Sequence, residues 1–269
     1  MSGPFDTCWD RVARAEVHRQ SLIQIWDGID QHDIYASEGK IRDDGTGELF
    51  IRPVKRDWLL PFTLQFGEML YQLRAALDSC VYDAAALKFA QNPPPDEEKW
   101  NFPVCADATK FQESVKRMKQ LPLDVSILLE SVQPYSSATG HHNGMEWDLG
   151  PTLAILNDWA RIDRHRRLHL VGSAVTEGYL TIGIPEGSNM AVEYCDFIGG
   201  DVLEHESQIA RFKIANWAPG SQVHMQPHFT LDIAVDESPR CRLSEISTAM
   251  CLTVEIVRGI FERHFNIVR

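Results

Sequence analysis

The sequence predicts an α+β fold: a helical bundle of long N-terminal helices carrying an inserted β-hairpin, then a C-terminal antiparallel sheet and a closing helix. Three observations predict it. Apolar residues recur at helical intervals through most of the first 170 positions. From Gly172 the texture changes to short β-prone pieces punctuated by glycine, proline and aspartate. Helical periodicity then returns from Leu243 to His264.

The elements follow in order. Trp9, Val12, Ala13, Leu22, Ile25, Trp26 and Ile29 mark an amphipathic helix from about Phe5 to His32. Extended segments around Asp43-Asp44-Gly45-Thr46-Gly47 predict a hairpin. A second long helix runs from Pro61 to Phe89 and stops before Asn92-Pro93-Pro94-Pro95, which cannot continue it. Asn101-Phe102-Pro103-Val104 is extended, and shorter helices cover Ala108–Gln120 and Leu123–Ser131. A polar loop, residues 136–150, leads to a helix over Thr152–Leu170. Strands are expected at Tyr179–Ile184, Met190–Tyr194, Ile209–Ala215, Val223–His228 and Thr230–Val235. The interleaving of helix and strand favours a single domain over residues 1–269, helical over 5–171, β-rich over 172–239 and closed by 240–269.

Composition narrows the function classes. The 269 residues hold 26 basic and 38 acidic side chains, a net charge of -12, which excludes an overall basic coat for nucleic acid. No apolar run approaches the roughly 18 residues of a membrane span, and the N-terminal segment lacks the apolar core of a secretory signal. The expectation is a cytoplasmic protein with no membrane partner, whose six cysteines form no C-x-x-C pair and act mainly as small hydrophobes. Phosphate-loop, dinucleotide and nucleophile-elbow signatures are all absent.

Two helices break the amphipathic rule. On the second helix, Gln65, Glu68, Gln72, Ser79 and Asp83 form a polar stripe that reads as the solvent face, while Arg74 and Asp78 lie away from it, one turn apart. On the helix around Asn157, Asp163 and Arg166 fall among Leu153, Leu156, Trp159 and Ile162. Paired charges in a core cost several kcal/mol per ion unless neutralised and hydrogen-bonded. A fully paired network would be architecture. A guanidinium left over would receive an anion, because its planar fork matches carboxylate and phosphate. Residues 161–169 add to the second reading with four arginines and two histidines against one aspartate. Arg74, Asp78, Asp163 and Arg166 are thus the candidate ligand-binding residues for a small anionic or nucleotide-like ligand, with His165 as the acid–base group. No cofactor or metal is expected: His165 and His169 lie among cations, and His141, His142, Glu146 and Asp148 sit in the predicted loop.

Arg164 and His169 also form an R-x-x-x-x-H pattern. Such a pair suits metal-free RNA cleavage, histidine moving the 2′-hydroxyl proton and arginine stabilising the phosphate. The pattern resembles the motif of HEPN-type ribonucleases, helical and commonly dimeric, and makes RNA the partner in that alternative. A third alternative is a non-catalytic module that uses its β half to form a homodimer or bind a partner.

A wider resemblance rests on four ordered stretches: G-E-M-L-Y-Q-L-R-A-A-L-D from Gly67 to Asp78, Asn101 to Val104, Gln133-Pro134-Tyr135, and L-N-D-W-A-R-I-D-R-H-R from Leu156 to Arg166. Together they resemble a family of uncharacterised bacterial proteins with an L-R-x-A-L-D helix and a later D-[KR]-H-R helix, over residues 5 to 175. That resemblance implies a class and no activity. Its members often carry histidine after the first motif, where this chain has Ser79.

Overall fold

The computed structural model describes residues 3–29, 34–54, 59–118, 121–165, 170–198, 206–235 and 243–267, and it is α+β. In chain order the elements are helix α1 (Asp6–Asp27), strands β1 (Tyr35–Ile41) and β2 (Thr46–Pro53), helix α2 (Leu59–Phe89), helices α3 (Ala108–Arg117) and α4 (Leu123–Ser131), strands β3 (Thr139–His142) and β4 (Met145–Asp148), helix α5 (Leu149–His165), strands β5 (Leu170–Gly183), β6 (Ala191–Phe197), β7 (Ser207–Ala215) and β8 (His224–Val235), and closing helix α6 (Leu243–His264). Among the described residues no helix is long and apolar enough to cross a membrane. The chain divides into a helical unit, Met1–Gln24, Pro61–Leu168 and Glu245–Arg269, and a β unit, Ile25–Leu60 and His169–Ser244.

The spine of the helical unit is α2. Phe62, Phe66, Leu70, Leu73, Leu77, Val81 and Ala84 recur every three or four residues and are buried. From α5, Trp159 meets Phe66 edge to face, with ring centroids 5.7 Å apart. Met250, Val254, Val257 and Phe261 bury one face of α6, and Phe261 meets Phe5 at the start of α1.

The polar stripe of α2 is not a free solvent face. Gln65 bonds His18, Gln72 is buried and accepts from Arg11, and Asp83 accepts the backbone N–H of Phe5. The α1 segment covers Gln65, Gln72 and Asp83, which bond across the helix pair, whereas Glu68 is exposed and Ser79 donates to the Ala75 carbonyl of its own helix. A wheel separates polar from apolar side chains but does not show that the polar ones face water.

In the β unit, one antiparallel sheet has the order β1-β2-β7-β6, so the N-terminal hairpin extends the C-terminal strands. Leu49 and Ile51 of β2 and Ala210, Phe212 and Ile214 of β7 are buried. Gly47 pairs with Phe212, and a Cβ there would sit 2.1 Å from its ring, so only glycine lets the ring lie across β2. β5 and β8 form a separate two-stranded ribbon.

Several boundaries depart from the sequence expectation. The expected loop at 136–150 contains hairpin β3–β4, turning through Asn143 and Gly144, both at positive φ (49° and 81°). Asn-Gly is the readable cue for such a tight hairpin turn. α5 starts at Leu149, and Leu170, expected to end it, opens β5 because it pairs with Val235. β8 joins two expected pieces into one strand through Pro227, which a two-stranded ribbon tolerates because each strand keeps one unpaired edge. α1 ends at Asp27 and α3 at Arg117; the expected ends of both lie near or within residues outside the description.

Candidate functional site

The Arg74–Asp78 pair grips backbone. Arg74 Nη1 donates to Asp78 Oδ1 (2.6 Å), Nη2 to the carbonyl of Phe102 (2.7 Å) and Nε to Asn157 Oδ1 (3.3 Å). Asp78 Oδ1 in turn accepts the Phe102 N–H at 2.8 Å. Both backbone polar groups of buried Phe102 are therefore satisfied by one turn of α2. Fully buried Gln133 acts in the same way nearby: Oε1 accepts from Cys105 N (2.9 Å), and Nε2 donates to Pro103 O (2.9 Å) and Leu129 O (3.0 Å). An extended segment passing through a helical bundle has no sheet to bond its peptide groups, so side chains must. The L-R-x-A-L-D, N-F-P-V and Gln133 motifs converge on that task, and Asn157 ties in the helix of the fourth.

Arg74 thus reaches α5 through Asn157, a residue that the helical wheel places on the polar side. Asp163 lies instead against Gly67, where a Cβ would sit 2.6 Å from Asp163 Oδ2. Burial, then the charge of Glu68, raises the Asp163 carboxyl above its ordinary range. Arg164 is exposed and donates from Nε to the Ala160 carbonyl of its own helix at 3.2 Å. His165 closes α5, its side chain outside the description, and Arg166 and His169 also lie outside the described residues. Asp158 is exposed, 3.8 Å from Arg161. Among the described residues no three His, Cys, Asp or Glu side chains converge on a metal position.

A cavity of about 310 Å³ opens elsewhere in the helical unit, lined by His141, His142, Trp147, Glu255, Arg258 and Arg263 among others. Arg258 is its unusual member. The side chain is only 8% exposed, yet Nε and Nη1 are buried with no hydrogen-bond partner among the described residues. Glu262 Oε2 lies 3.8 Å from Nε, near enough to offset charge and too far for a hydrogen bond. The guanidinium carbon sits 3.2 Å from the centroid of the Trp9 ring, and Trp9 Nε1 donates to Glu262 Oε1 at 2.7 Å. These contacts fix the guanidinium and leave N–H groups unspent. Trp147 is held by its Nε1 bond to Thr253 Oγ1, 2.9 Å, and hairpin β3–β4 brings His141 and His142 to the rim.

The sequence held a cue for Arg258. It lies four residues after Val254 and three before Phe261, on the buried face of α6, the same anomaly that drew attention to Arg74 and Arg166. The part played by His141 and His142 was not legible, because only the hairpin places them near α6. No protein-family model matches the chain, and no curated protein or solved structure shows significant similarity to it.

Proposed function

We propose that the helical unit binds a small anionic ligand in the cavity beside Arg258. One observation carries the reading: Arg258, a largely buried cation fixed by Trp9 and Glu262, lines an open cavity together with Arg263, and its own Nε and Nη1 have no hydrogen-bond partner among the described residues. Arg263 adds a second cation at the cavity, and His141 and His142 add donors when protonated. Glu255 in the same lining disfavours a bare polyanion and favours a ligand that also carries hydroxyl or amine donors. The volume is at the small end of ligand sites, enough for a mononucleotide or a phosphorylated metabolite.

Calorimetric titration with inorganic phosphate and with adenosine monophosphate tests this. Both should bind, the nucleotide more tightly. Arg263→Gln, on an exposed side chain, and Arg258→Lys, which keeps the charge but loses the fork, should each weaken binding about 10- to 100-fold, the equivalent of about 1.4–2.8 kcal/mol. Arg74→Gln should bind as the wild type does. No binding to the wild-type protein, or unchanged affinity in both α6 variants, would overturn the proposal.

A further inference from the structure

Among the described cysteines four are buried, and two of these face each other. Cys8 lies in the first turn of α1 and Cys80 in α2; both are fully buried, and Cys80 Sγ lies 3.2 Å from Cys8 Sγ. The contact is anchored on both sides. Phe5 N–H donates to Asp83 Oδ2 at 2.8 Å, fastening the start of α1 to α2 one turn beyond Cys80, and Trp9, next to Cys8, stacks on Arg258. In the closed state these anchors hold the two sulfurs apposed, and they bring them back together after any local opening. Of the other described cysteines, Cys105 meets Ser114, Cys195 is exposed and Cys251 is buried on α6.

We infer that Cys8 and Cys80 form an oxidisable pair, at which hydrogen peroxide or an organic hydroperoxide covalently joins α1 to α2. A disulfide bond is about 2.05 Å long, so the sulfurs must close by roughly 1.2 Å, within the reach of small side-chain rotations. In the first step one thiolate attacks a peroxide oxygen, the O–O bond breaks and, with hydrogen peroxide, water leaves after protonation, giving a sulfenic acid. The second sulfur then attacks that sulfur, and its hydroxyl departs as water. Two thiols and one hydrogen peroxide become one disulfide and two waters; sulfur is oxidised and peroxide oxygen reduced.

The neighbouring Cys8, burial and Asp83 all hold the Cys80 thiol well above its ordinary range, while Arg258 pulls weakly the other way. The closed pair is therefore a slow nucleophile. Reaction proceeds when the first turn of α1 opens, since a helix end is the segment most readily released by local unfolding. Cys8 is the sulfur that such opening exposes first. The finished bond closes a loop of 72 residues and so constrains the unfolded chain strongly.

The full chain is incubated with hydrogen peroxide under native conditions, remaining thiols are alkylated, and peptides are mapped by mass spectrometry without reduction. The expected result is a Cys8–Cys80 peptide lighter by two hydrogens, a higher melting temperature and reversal of both by dithiothreitol. Cys8→Ser and Cys80→Ser should each abolish the linked peptide, and Cys195→Ser should leave it. Should one serine variant unfold, the other and the wild-type map still decide. Full alkylation of both residues after oxidation, over-oxidation without linkage, or linkage of either to a different cysteine would overturn the inference. None of these outcomes depends on whether the Arg258 cavity binds an anion.

Discussion

Arg74→Met tests whether the pair on α2 holds the strap at Phe102. Methionine keeps the stem and removes the donors. The Phe102 carbonyl then loses its Arg74 donor in a fully buried residue, at a cost of about 1–3 kcal/mol. The ion pair with Asp78 contributes less, because its side chains are 15% and 38% exposed and solvent screens them; about 1 kcal/mol is the ceiling for such a pair. The 3.3 Å bond to Asn157 adds about 0.5 kcal/mol. The sum is about 3 kcal/mol. At roughly 2–4 °C per kcal/mol for a chain of this size, the melting temperature should fall by about 6–12 °C. Thermal unfolding followed by circular dichroism measures the fall, and adding Asp78→Asn to the variant should cost less than it does in the wild type, because the two residues form one ion pair and hold the N–H and the carbonyl of the same residue, Phe102. A drop smaller than about 2 °C, with phosphate binding lost, would refute the reasoning and return Arg74 to the role of anion receptor.

Three further outcomes follow from the same geometry. Gly67→Ala should destabilise the helical unit by about 1–3 kcal/mol in urea unfolding, since its methyl group would meet Asp163 at 2.6 Å; an unchanged midpoint would show that α2 and α5 part freely. Burial first, and Asp6 less, raise the Asp83 carboxyl above 3.8 despite its bond from Phe5, so the folded state holds that proton more tightly than the unfolded chain. The resulting stability is fully present below the unfolded value and lost as pH rises through the folded one. Asp83→Asn, which keeps an acceptor for Phe5, should thus be more stable than wild type at neutral pH and lose that advantage below about pH 4; equal or lower stability at neutral pH would contradict it. RNA incubated with the protein in excess chelator should stay intact if the Arg258 cavity is the working site, whereas cutting that disappears in His169→Ala would establish the ribonuclease alternative.

Periodicity sufficed for the long helices and the later strands, because a helix or strand is decided by neighbours a few residues apart, but it missed hairpin β3–β4 in the expected loop. It also singled out Arg74 and Asp78, since a charged pair among leucines is visible on a wheel. Their occupation was not visible. Phe102 lies 24 residues from Asp78 and Asn157 lies 83 from Arg74, and no local rule joins residues at those separations. The polar stripe of α2 shows the same limit: Gln72 and Asp83 look solvated until α1 is laid against them. The Asn143-Gly144 turn and the buried position of Arg258 were local cues, each legible in the sequence.

By itself, then, the sequence determined an α+β chain of long helices, an inserted hairpin and a late antiparallel part, because hydrophobic spacing and turn chemistry act over short range. Tertiary structure alone decided that the inserted hairpin extends the C-terminal strands, that α1 covers Gln65, Gln72 and Asp83 of the polar stripe of α2, and that Arg74 is engaged by backbone while Arg258 keeps donors unused. Those outcomes depend on which groups meet after long-range packing, where every buried polar atom must find an acceptor or a donor supplied by distant chain.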